Sequence, residues 1–373
     1  MTAGDTVAPV RSRGGVDLAA ARAAVDGVLA DFLAEKAETA ADGRLPAEVT
    51  ELLSGFLAAG GKRLRPLLCV TGWHVAADAD AIAPPAVVRA AAALEMFHAF
   101  CLIHDDFMDR SATRRGRPTL HRTLAARRTR LGPRAASLVG DSCAVLIGDL
   151  ALCWSGELLH TAGLSPSRLS AALSLMDTMR TEVMCGQYLD VTHSCTPAGA
   201  GAHEGGLDVA LQTIRYKTAK YTVERPLHLG AVLADAPGAL LDALTAFALP
   251  LGEAFQLRDD LLGVFGHPDT TGKPRLDDLR EGKHTVLLAL GRSYAGPGDR
   301  DEIDALVGDP HLDEAGAARI RTLLTSTGAR RRVETMISSR RDEALAALAH
   351  VAAPDPVLAT LRSFVEAATE RTH

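Results

Sequence analysis

Aromatic residues are scarce in this chain: nine Phe, four Tyr and two Trp make up 4% of its 373 residues. β-Branched runs are scarce as well, while Ala and Leu dominate, so helices are favoured over strands. No CxxC pair occurs. The six cysteines, Cys69, Cys101, Cys143, Cys153, Cys185 and Cys195, stand apart, mostly in apolar helical context. That argues against a zinc site or a disulfide framework and for buried free thiols in a reducing compartment. No apolar run reaches the length expected of a membrane span, and Arg11 and Arg13 are not followed by the apolar core of a signal peptide. A cytoplasmic location is therefore expected. Positive charge is not in excess: 40 Lys and Arg against 46 Asp and Glu leave a net charge of −6, which argues against a nucleic-acid partner. No Ser/His/Asp or Cys/His constellation is legible, so covalent catalysis by a side-chain nucleophile is not indicated.

What is present is a succession of apolar, Ala/Leu-rich helical patterns. Residues 1–15 read as a disordered tail of small and charged residues, and residues 16–373 as a single all-α domain. Asp17 is placed to cap a first helix with an apolar stripe of Leu18, Ala21, Val25, Val28, Leu29 and Phe32. A second helix is expected from about Ala47 to Ala59, stopped by Gly60-Gly61. Two further helices fill residues 134–191 and part near Gly163-Leu164-Ser165-Pro166. The stretch from Thr192 to Gly206, rich in Gly, Ala, His and Ser, reads as a surface loop. Beyond residue 300 the amphipathic helices carry no concentrated chemistry, and Arg330-Arg331-Arg332 reads as a solvated face.

One stretch stands out. The apolar run from Phe97 through His98, Phe100 and Cys101 ends in Asp105, Asp106 and Asp109. On a helix, Asp105 and Asp109 lie one turn apart on one face, and like charges at that spacing cost a few tenths of a kcal/mol. A hard divalent cation, which takes carboxylate oxygens and keeps water or phosphate as its other ligands, would offset the repulsion. The alternative is a solvated acidic helix end. A second apolar helix ends in Gln256-Leu257-Arg258-Asp259-Asp260-Leu261-Leu262-Gly263. It again pairs two aspartates, but Gly263 stands where a third carboxylate would complete the spacing of the first cluster. The two ends suggest a pseudo-symmetric pair facing one cavity.

Between and around these ends lie basic segments. Gly60-Gly61-Lys62-Arg63-Leu64-Arg65-Pro66 puts three positive charges at a glycine-opened helix junction, either an anion cradle or an ordinary charged loop. Arg114-Arg115-Gly116-Arg117-Pro118 is either charge compensation for the aspartates or a shaped loop with paired arginines for bidentate phosphate binding. Lys217-Thr218 can contact a phosphate oxygen or be an exposed helical pair, and Lys273 and Lys283 sit in Gly-containing turns where backbone approaches a ligand closely. Acidic helix ends, basic loops and apolar helix walls together imply a ligand with a polyanionic head and a greasy tail. Carboxylates and diphosphate repel, so Mg²⁺ must bridge them. Such a site stabilises a departing diphosphate and so helps to break a C–O bond.

These residues carry a resemblance. Gly61-Lys62-x-x-Arg65-Pro66, Asp105-Asp106-x-x-Asp109, Arg114-Arg115-Gly116-x-Pro118-Thr119, Lys217-Thr218, Gln256-x-x-Asp259-Asp260, Gly272-Lys273 and Lys283 fall in the order of the trans-type polyprenyl diphosphate synthases, and the chain resembles that family over roughly residues 45–300. The resemblance implies an all-α, isoprenoid synthase-type bundle around a central cavity, and a homodimer. It implies Asp105, Asp109 and Asp259 as Mg²⁺ ligands, with three Mg²⁺ per active site when substrate is bound, and Asp106 and Asp260 in support. Arg114, Lys217, Thr218, Gln256, Lys273 and Lys283 would hold the allylic diphosphate. Gly61, Lys62, Arg65, His98 and Arg115 would hold isopentenyl diphosphate. The implied reaction is ionisation, condensation and elimination. The departure at Gly263, with His267 where an acid is frequent, leaves the second metal end to Asp259 and Asp260.

Product length follows from helix geometry. Phe100 lies five residues before Asp105, about 7.5 Å further along the helix at 1.5 Å per residue. One bulky ring there, with small Cys101 beside it, forms a partial floor for the growing tail, and Phe97 lies nearly a turn deeper. The alternative is that Phe100 is ordinary core packing. A single aromatic at this position is similar to bacterial geranylgeranyl diphosphate synthases, which implies a C20 product. A C15 or longer product is the nearest alternative. A class I terpene cyclase would lack the Gly-Lys-Arg and Arg-Arg sites for a second diphosphate, and a non-catalytic partner subunit would lose aspartates, of which five of the six expected remain.

Overall fold

The computed structural model describes residues 15–41, 43, 46–77, 82–194, 206–266 and 276–369. The tail expected at residues 1–15 lies outside them but for Gly15, as do Cys195, His267 and the Gly272-Lys273 turn. Helix α1 spans Leu18–Ala41 and α2 spans Ala47–Ala58. The Asp17 side chain accepts from the Ala20 amide at 2.9 Å, as a capping residue does. Gly60 and Gly61 take positive φ (92° and 146°) and turn the chain into α3, Leu64–Ala76.

Helix α4, Pro85–Met108, runs through the first core. Ala90, Ala91, Ala92, Ala93, Leu94, Met96 and Phe97 are all fully buried on it. A run of alanines exposes so little side-chain bulk that helices pack on several sides of α4 at once, and it packs against α6 (Pro133–His160), α3 and α1. A second core joins α3, α9 (Arg225–Leu233), the first half of α10 (Gly238–Phe265) and α16 (Asp355–Thr369). A third joins the second half of α10 to α12 (Val286–Tyr294), α14 (Glu314–Ser326) and α15 (Ala329–Ala347). The short helices α5 (Leu120–Ala126), α8 (Gly206–Thr213), α11 (Asp277–Arg280) and α13 (Pro297–Leu306) complete the set. The only strands among the described residues are β1, Thr113–Arg114, and β2, Arg117–Pro118, an antiparallel pair directly after α4. The fold is all-α, as its composition implies.

Two readings are corrected. Helices α4, α6 and α10 are each long and apolar enough to cross a membrane by length and composition, although no unbroken apolar run of that length is visible. The charges that interrupt α4 do not interrupt its burial: Glu95 is 3% exposed and pairs with Arg63 at 2.8 Å, and 67% of the apolar stretch of α4 is covered by the rest of the chain. The surface loop expected from Thr192 to Gly206 begins and ends in helix. Helix α7, Pro166–Ser194, extends past Thr192, and Gly206 opens α8, while residues 195–205 lie outside the described residues. The five described cysteines are free thiols, but of them only Cys69 is buried as expected; Cys101 and Cys143 are half-buried, and Cys153 and Cys185 are exposed.

Between α8 and α9 the chain continues as a π-helix, Ile214–Glu224. Wide turns of this kind re-aim side chains and occur most often at functional sites. This one carries Lys217, Thr218 and Tyr221. Its backbone presses on α7 at Gly186, where a Cβ would stand 2.4 Å from the Lys217 amide nitrogen.

Candidate active site

The C-terminal turn of α4 presents Asp105, Asp106 and Asp109. The β1–β2 hairpin folds back onto them through a two-residue turn, Arg115-Gly116, with both residues at positive φ (53° and 72°). Arg114 Nε thereby donates to Asp106 Oδ1 at 2.7 Å, and its Nη2 lies 3.3 Å from Asp105 Oδ2. Burial pushes the Asp106 carboxyl up to about 6 against the pull of Arg114. Its second oxygen is buried without a hydrogen-bond partner. Burial raises Asp105 too, but Lys217, Lys283 and Arg114 outweigh it and hold that carboxyl well below the usual carboxylate range. Asp109 is raised by burial and by the Asp105 charge.

Two lysines tie this end to the rest of the site. Lys217 Nζ lies 3.1 Å from Asp105 Oδ1 and also binds Asp190 on α7. Lys283 Nζ lies 3.3 Å from Asp109 Oδ2, 3.3 Å from Asp278 Oδ1 and 3.0 Å from Glu281 Oε2. Asp278 in turn rests against Gly263 on α10, so Lys283 joins the two acidic helix ends. A second chain links them through the π-helix. Thr218 Oγ1 donates to Gln256 Oε1 at 2.7 Å, and Gln256 Nε2 donates to Asp260 Oδ1 at 2.8 Å. Burial, reinforced by the charges of Asp259, Asp278 and Asp190, pushes Asp260 up to about 7. Glu281 is likewise pushed to about 7 by burial despite Lys283.

Below the charged groups lies a cavity of about 420 Å³. Asp105, Lys217 and Thr218 stand at its head, and Phe100, Cys101, Leu152, Val183 and Met184 along its walls. Phe100 is 8% exposed toward it, whereas Phe97 is fully buried behind Phe100 at a ring separation of 5.5 Å and does not line the cavity. Arg65 and His98 reach the same space beside Tyr221. The His98 Nδ1 and Tyr221 hydroxyl are 2.7 Å apart, and the Arg65 guanidinium stacks 4.0 Å from the Tyr221 ring centre. Burial and the neighbouring charges of Arg65, Arg114 and Arg115 hold His98 well below its ordinary value, so the ring is neutral. The Arg115 guanidinium packs on Gly61, with Nη2 2.8 Å from the position a Cβ would take there. Lys62 is exposed in the same link.

The structure thus gathers Asp105, Asp106, Asp109, Arg114, Lys217, Thr218, Gln256, Asp260 and Lys283 by direct contacts, while Phe97 stays behind Phe100 and one arginine of the anion cradle turns away. Arg63 turns inward, 7% exposed, to Glu95, to Asp26 at 2.7 Å and to the Leu57 carbonyl at 2.7 Å. Its left-handed backbone (φ 51°) points it away from Lys62 and Arg65. Lys273 lies outside the described residues. Five participants escaped the sequence reading: Gln187, Asp190, Tyr221, Asp278 and Glu281. Gln187 donates to Asp105 Oδ1 at 3.3 Å. Gln187 and Asp190 are three apart on α7, a same-face spacing that was the available signal.

The donor set fits a hard cation. The aspartates of the two acidic ends offer carboxylate oxygen, and an orphaned buried oxygen remains on Asp106. Among the described residues no three His, Cys, Asp or Glu side chains close on one point. That suits Mg²⁺, which takes one or two carboxylates and completes its octahedron with water and substrate phosphate.

A sequence model of the polyprenyl synthetase family matches residues 46–324. The chain belongs to the polyprenyl synthetase family. The synthase is 33% identical to a geranylfarnesyl diphosphate synthase of Aeropyrum pernix over 74% of this chain and 78% of that protein. It is 31% identical to a (2E,6E)-farnesyl diphosphate synthase of Mycobacterium tuberculosis over 83% and 80% of the respective lengths. A geranylgeranyl pyrophosphate synthase of Corynebacterium glutamicum, solved with isoprenyl diphosphate and magnesium, superposes with a TM-score of 0.88 at 40% identity, covering 95% of this chain and all of that one. The synthase is an enzyme, a short-chain prenyltransferase. Its relatives make products of different lengths, so product length must be argued from this chain's own cavity.

Proposed function

We propose that the synthase condenses isopentenyl diphosphate with an allylic diphosphate and releases a C20 product, geranylgeranyl diphosphate. The observation that carries this reading is that Phe100 borders the cavity that also holds Asp105, Lys217 and Thr218, where its ring would act as a floor for the tail. The assignment of roles follows the chemistry of each group. Asp105, Asp109 and Asp259 would hold Mg²⁺, three ions per site with substrate bound, and Asp106 and Asp260 would support them. Bound there, the metal supplies positive charge to the leaving diphosphate. Lys217, Thr218, Gln256, Arg114, Lys283 and Lys273 hold the allylic diphosphate. Lys217 and Lys283 sit on carboxylates in this structure, and an arriving diphosphate offers them a more highly charged partner. Gly61, Lys62, Arg65, His98 and Arg115 hold isopentenyl diphosphate. Neutral His98 acts there as a hydrogen-bonding group and not as a charge.

The C–O bond of the allylic diphosphate breaks, the diphosphate keeps the electron pair, and an allylic cation remains at the head of the cavity. The double bond of isopentenyl diphosphate attacks this cation. The resulting tertiary cation loses a proton to the released diphosphate, and a new double bond forms. Apolar walls exclude water from both cations. Each cycle drives the tail five carbons further toward Phe100.

The same reading takes residues 16–373 as one domain, working in the cytoplasm as a homodimer. In support of the dimer, α6 exposes Leu138 and Leu146, and α7 exposes Tyr188 and Val191, at spacings that put each pair on one face. The test is direct. The protein is incubated with Mg²⁺, isopentenyl diphosphate and dimethylallyl, geranyl or farnesyl diphosphate in turn, and product length is measured. A C20 product is expected from each primer. No elongation from any primer would sink the reading, and a C15 end point would move the floor above Phe100.

A further inference from the structure

The link Gly60-Gly61-Lys62 opens with two glycines at positive φ (92° and 146°), and glycine loses more conformational freedom on ordering than any other residue. Contacts from outside must fix its direction. Arg115 packs against the α-carbon of Gly61. The carbonyl is held from elsewhere, by α1. Arg22 and Asp26 stand four residues apart on that helix and so share a face. Arg22 Nη2 donates to the Gly61 carbonyl. Asp26 Oδ1 accepts from Arg63 Nε at 2.7 Å, and Asp26 Oδ2 lies 4.0 Å from Arg22 Nε. One α1 side chain therefore holds the residue before Lys62, and the other holds the residue after it.

In a trans peptide the carbonyl of one residue and the amide of the next point to opposite sides. A Gly61 carbonyl turned toward Arg22 thus turns the Lys62 amide away from it and fixes where the Lys62 side chain starts. On the other flank, Arg63 is pinned in its left-handed conformation by Asp26, Glu95 and the Leu57 carbonyl. Helix α1 is a firm support for both contacts. Val25, Leu29 and Phe32 bury its inner face, and Lys36 pairs with Glu157 of α6 at 2.6 Å. Both clamp residues precede residue 46, where the match to the family begins.

We propose that Arg22 and Asp26 form a clamp from α1 that presents Lys62 to the diphosphate of isopentenyl diphosphate, with Arg22 as a positioning residue. The proposal rests on the reading above in which Lys62 belongs to that substrate's cradle. Arg22 acts through the Gly61 carbonyl. Its side chain is 47% exposed, so the contact adds little to global stability and its effect falls on the link alone. The rival accounts are a plain surface arginine, and a cation that attracts the diphosphate independently of Lys62.

The full-length chain separates these accounts. Isopentenyl diphosphate binding is measured by calorimetry, and KM is measured for isopentenyl and farnesyl diphosphates. Arg22→Ala is expected to weaken isopentenyl diphosphate binding and raise its KM about fivefold, the scale of one lost hydrogen bond. The KM for farnesyl diphosphate and the melting temperature are expected to stay as in the wild type. Arg22→Lys keeps a charged donor and is expected to recover part of the loss. In a Lys62→Met background, Arg22→Ala is expected to cost less than about twofold, because the group it positions is gone. Unchanged isopentenyl diphosphate affinity in Arg22→Ala would overturn the proposal, and so would an equal rise in both KM values. A fivefold loss that persists in Lys62→Met would also overturn it, since Arg22 would then act as an independent cation. A wild-type chain that binds no isopentenyl diphosphate would instead end the functional reading on which the clamp rests.

Discussion

Replacing Phe100 by Ala opens the floor of the tail cavity. The ring is 8% exposed, borders the 420 Å³ space, and packs on Phe97 at 5.5 Å and on His104 at 4.7 Å. A further isoprene unit adds five carbons. At about 0.8 kcal/mol per buried carbon, room for that unit is worth about 4 kcal/mol. In the wild type the same unit would meet the ring, and forcing extra carbons into a packed space costs about 1–3 kcal/mol. The first figure exceeds, and the second spans, the roughly 1.4 kcal/mol that changes a ratio tenfold. Phe100→Ala should therefore shift the main product by at least one unit beyond that of the wild type. Large-to-small replacement of a buried Phe costs about 3–5 kcal/mol of stability, so Phe100→Leu is a gentler companion with a smaller shift. The assay elongates farnesyl diphosphate with excess isopentenyl diphosphate and resolves the dephosphorylated alcohols by chromatography and mass spectrometry. Phe97→Leu is the control: Phe97 does not line the cavity, so stability should fall while product length stays. A Phe100→Ala enzyme that turns over with the wild-type product would refute the floor and leave Phe100 as core packing.

Other outcomes follow from the same geometry. Arg63→Met leaves Glu95 buried without its partner and should cost about 3–5 kcal/mol in urea unfolding, and Arg63→Met combined with Glu95→Leu should recover much of it, since the desolvated charges leave together. Tyr221→Phe keeps the ring beneath Arg65 but removes the hydrogen bond to His98. A hydrogen bond of about 0.5–1.5 kcal/mol predicts a rise in KM for isopentenyl diphosphate of no more than about tenfold, with KM for the allylic substrate unchanged. An equal rise in both would place Tyr221 elsewhere in the reaction. His98 is held neutral when folded, its pKa below that of the unfolded chain. Its contribution to stability is complete above the unfolded value of about 6.5 and falls as pH drops toward the folded value, with a slope of at most about 1.4 kcal/mol per pH unit. Denaturation curves at pH 5.5 and 7.5 should therefore converge in part in His98→Gln, and parallel behaviour of variant and wild type would contradict the buried neutral ring.

Most of the chemistry was legible because it is concentrated in short segments. Three aspartates within five residues need a local counter-charge whatever the fold, and Arg114 to Arg117 lie within one hairpin of them. The Ala-rich run before Asp105 specified a helix, its buried face and the depth of Phe100, since helical rise alone sets that distance. The arginines were harder to separate. Arg63 and Arg65 are two residues apart and alike in sequence, and only the left-handed turn at Arg63 sends one to Glu95 and the other to Tyr221.

By itself, then, the sequence determined the helical class, the two acidic ends, the basic segments and the polyanion-with-tail character of the ligand. Each of these depends on neighbours within a few turns. Tertiary structure alone decided which charges meet. Asp190, Gln187 and Tyr221 join the site because α7 and the π-helix pack at Gly186, and no local spacing encodes that approach. Asp278 of α11 packs against Gly263 of α10, where a side chain would meet its carboxylate, and no local spacing along either helix encodes that contact. Local pattern records what a residue can do; packing decides whether another residue stands in its place.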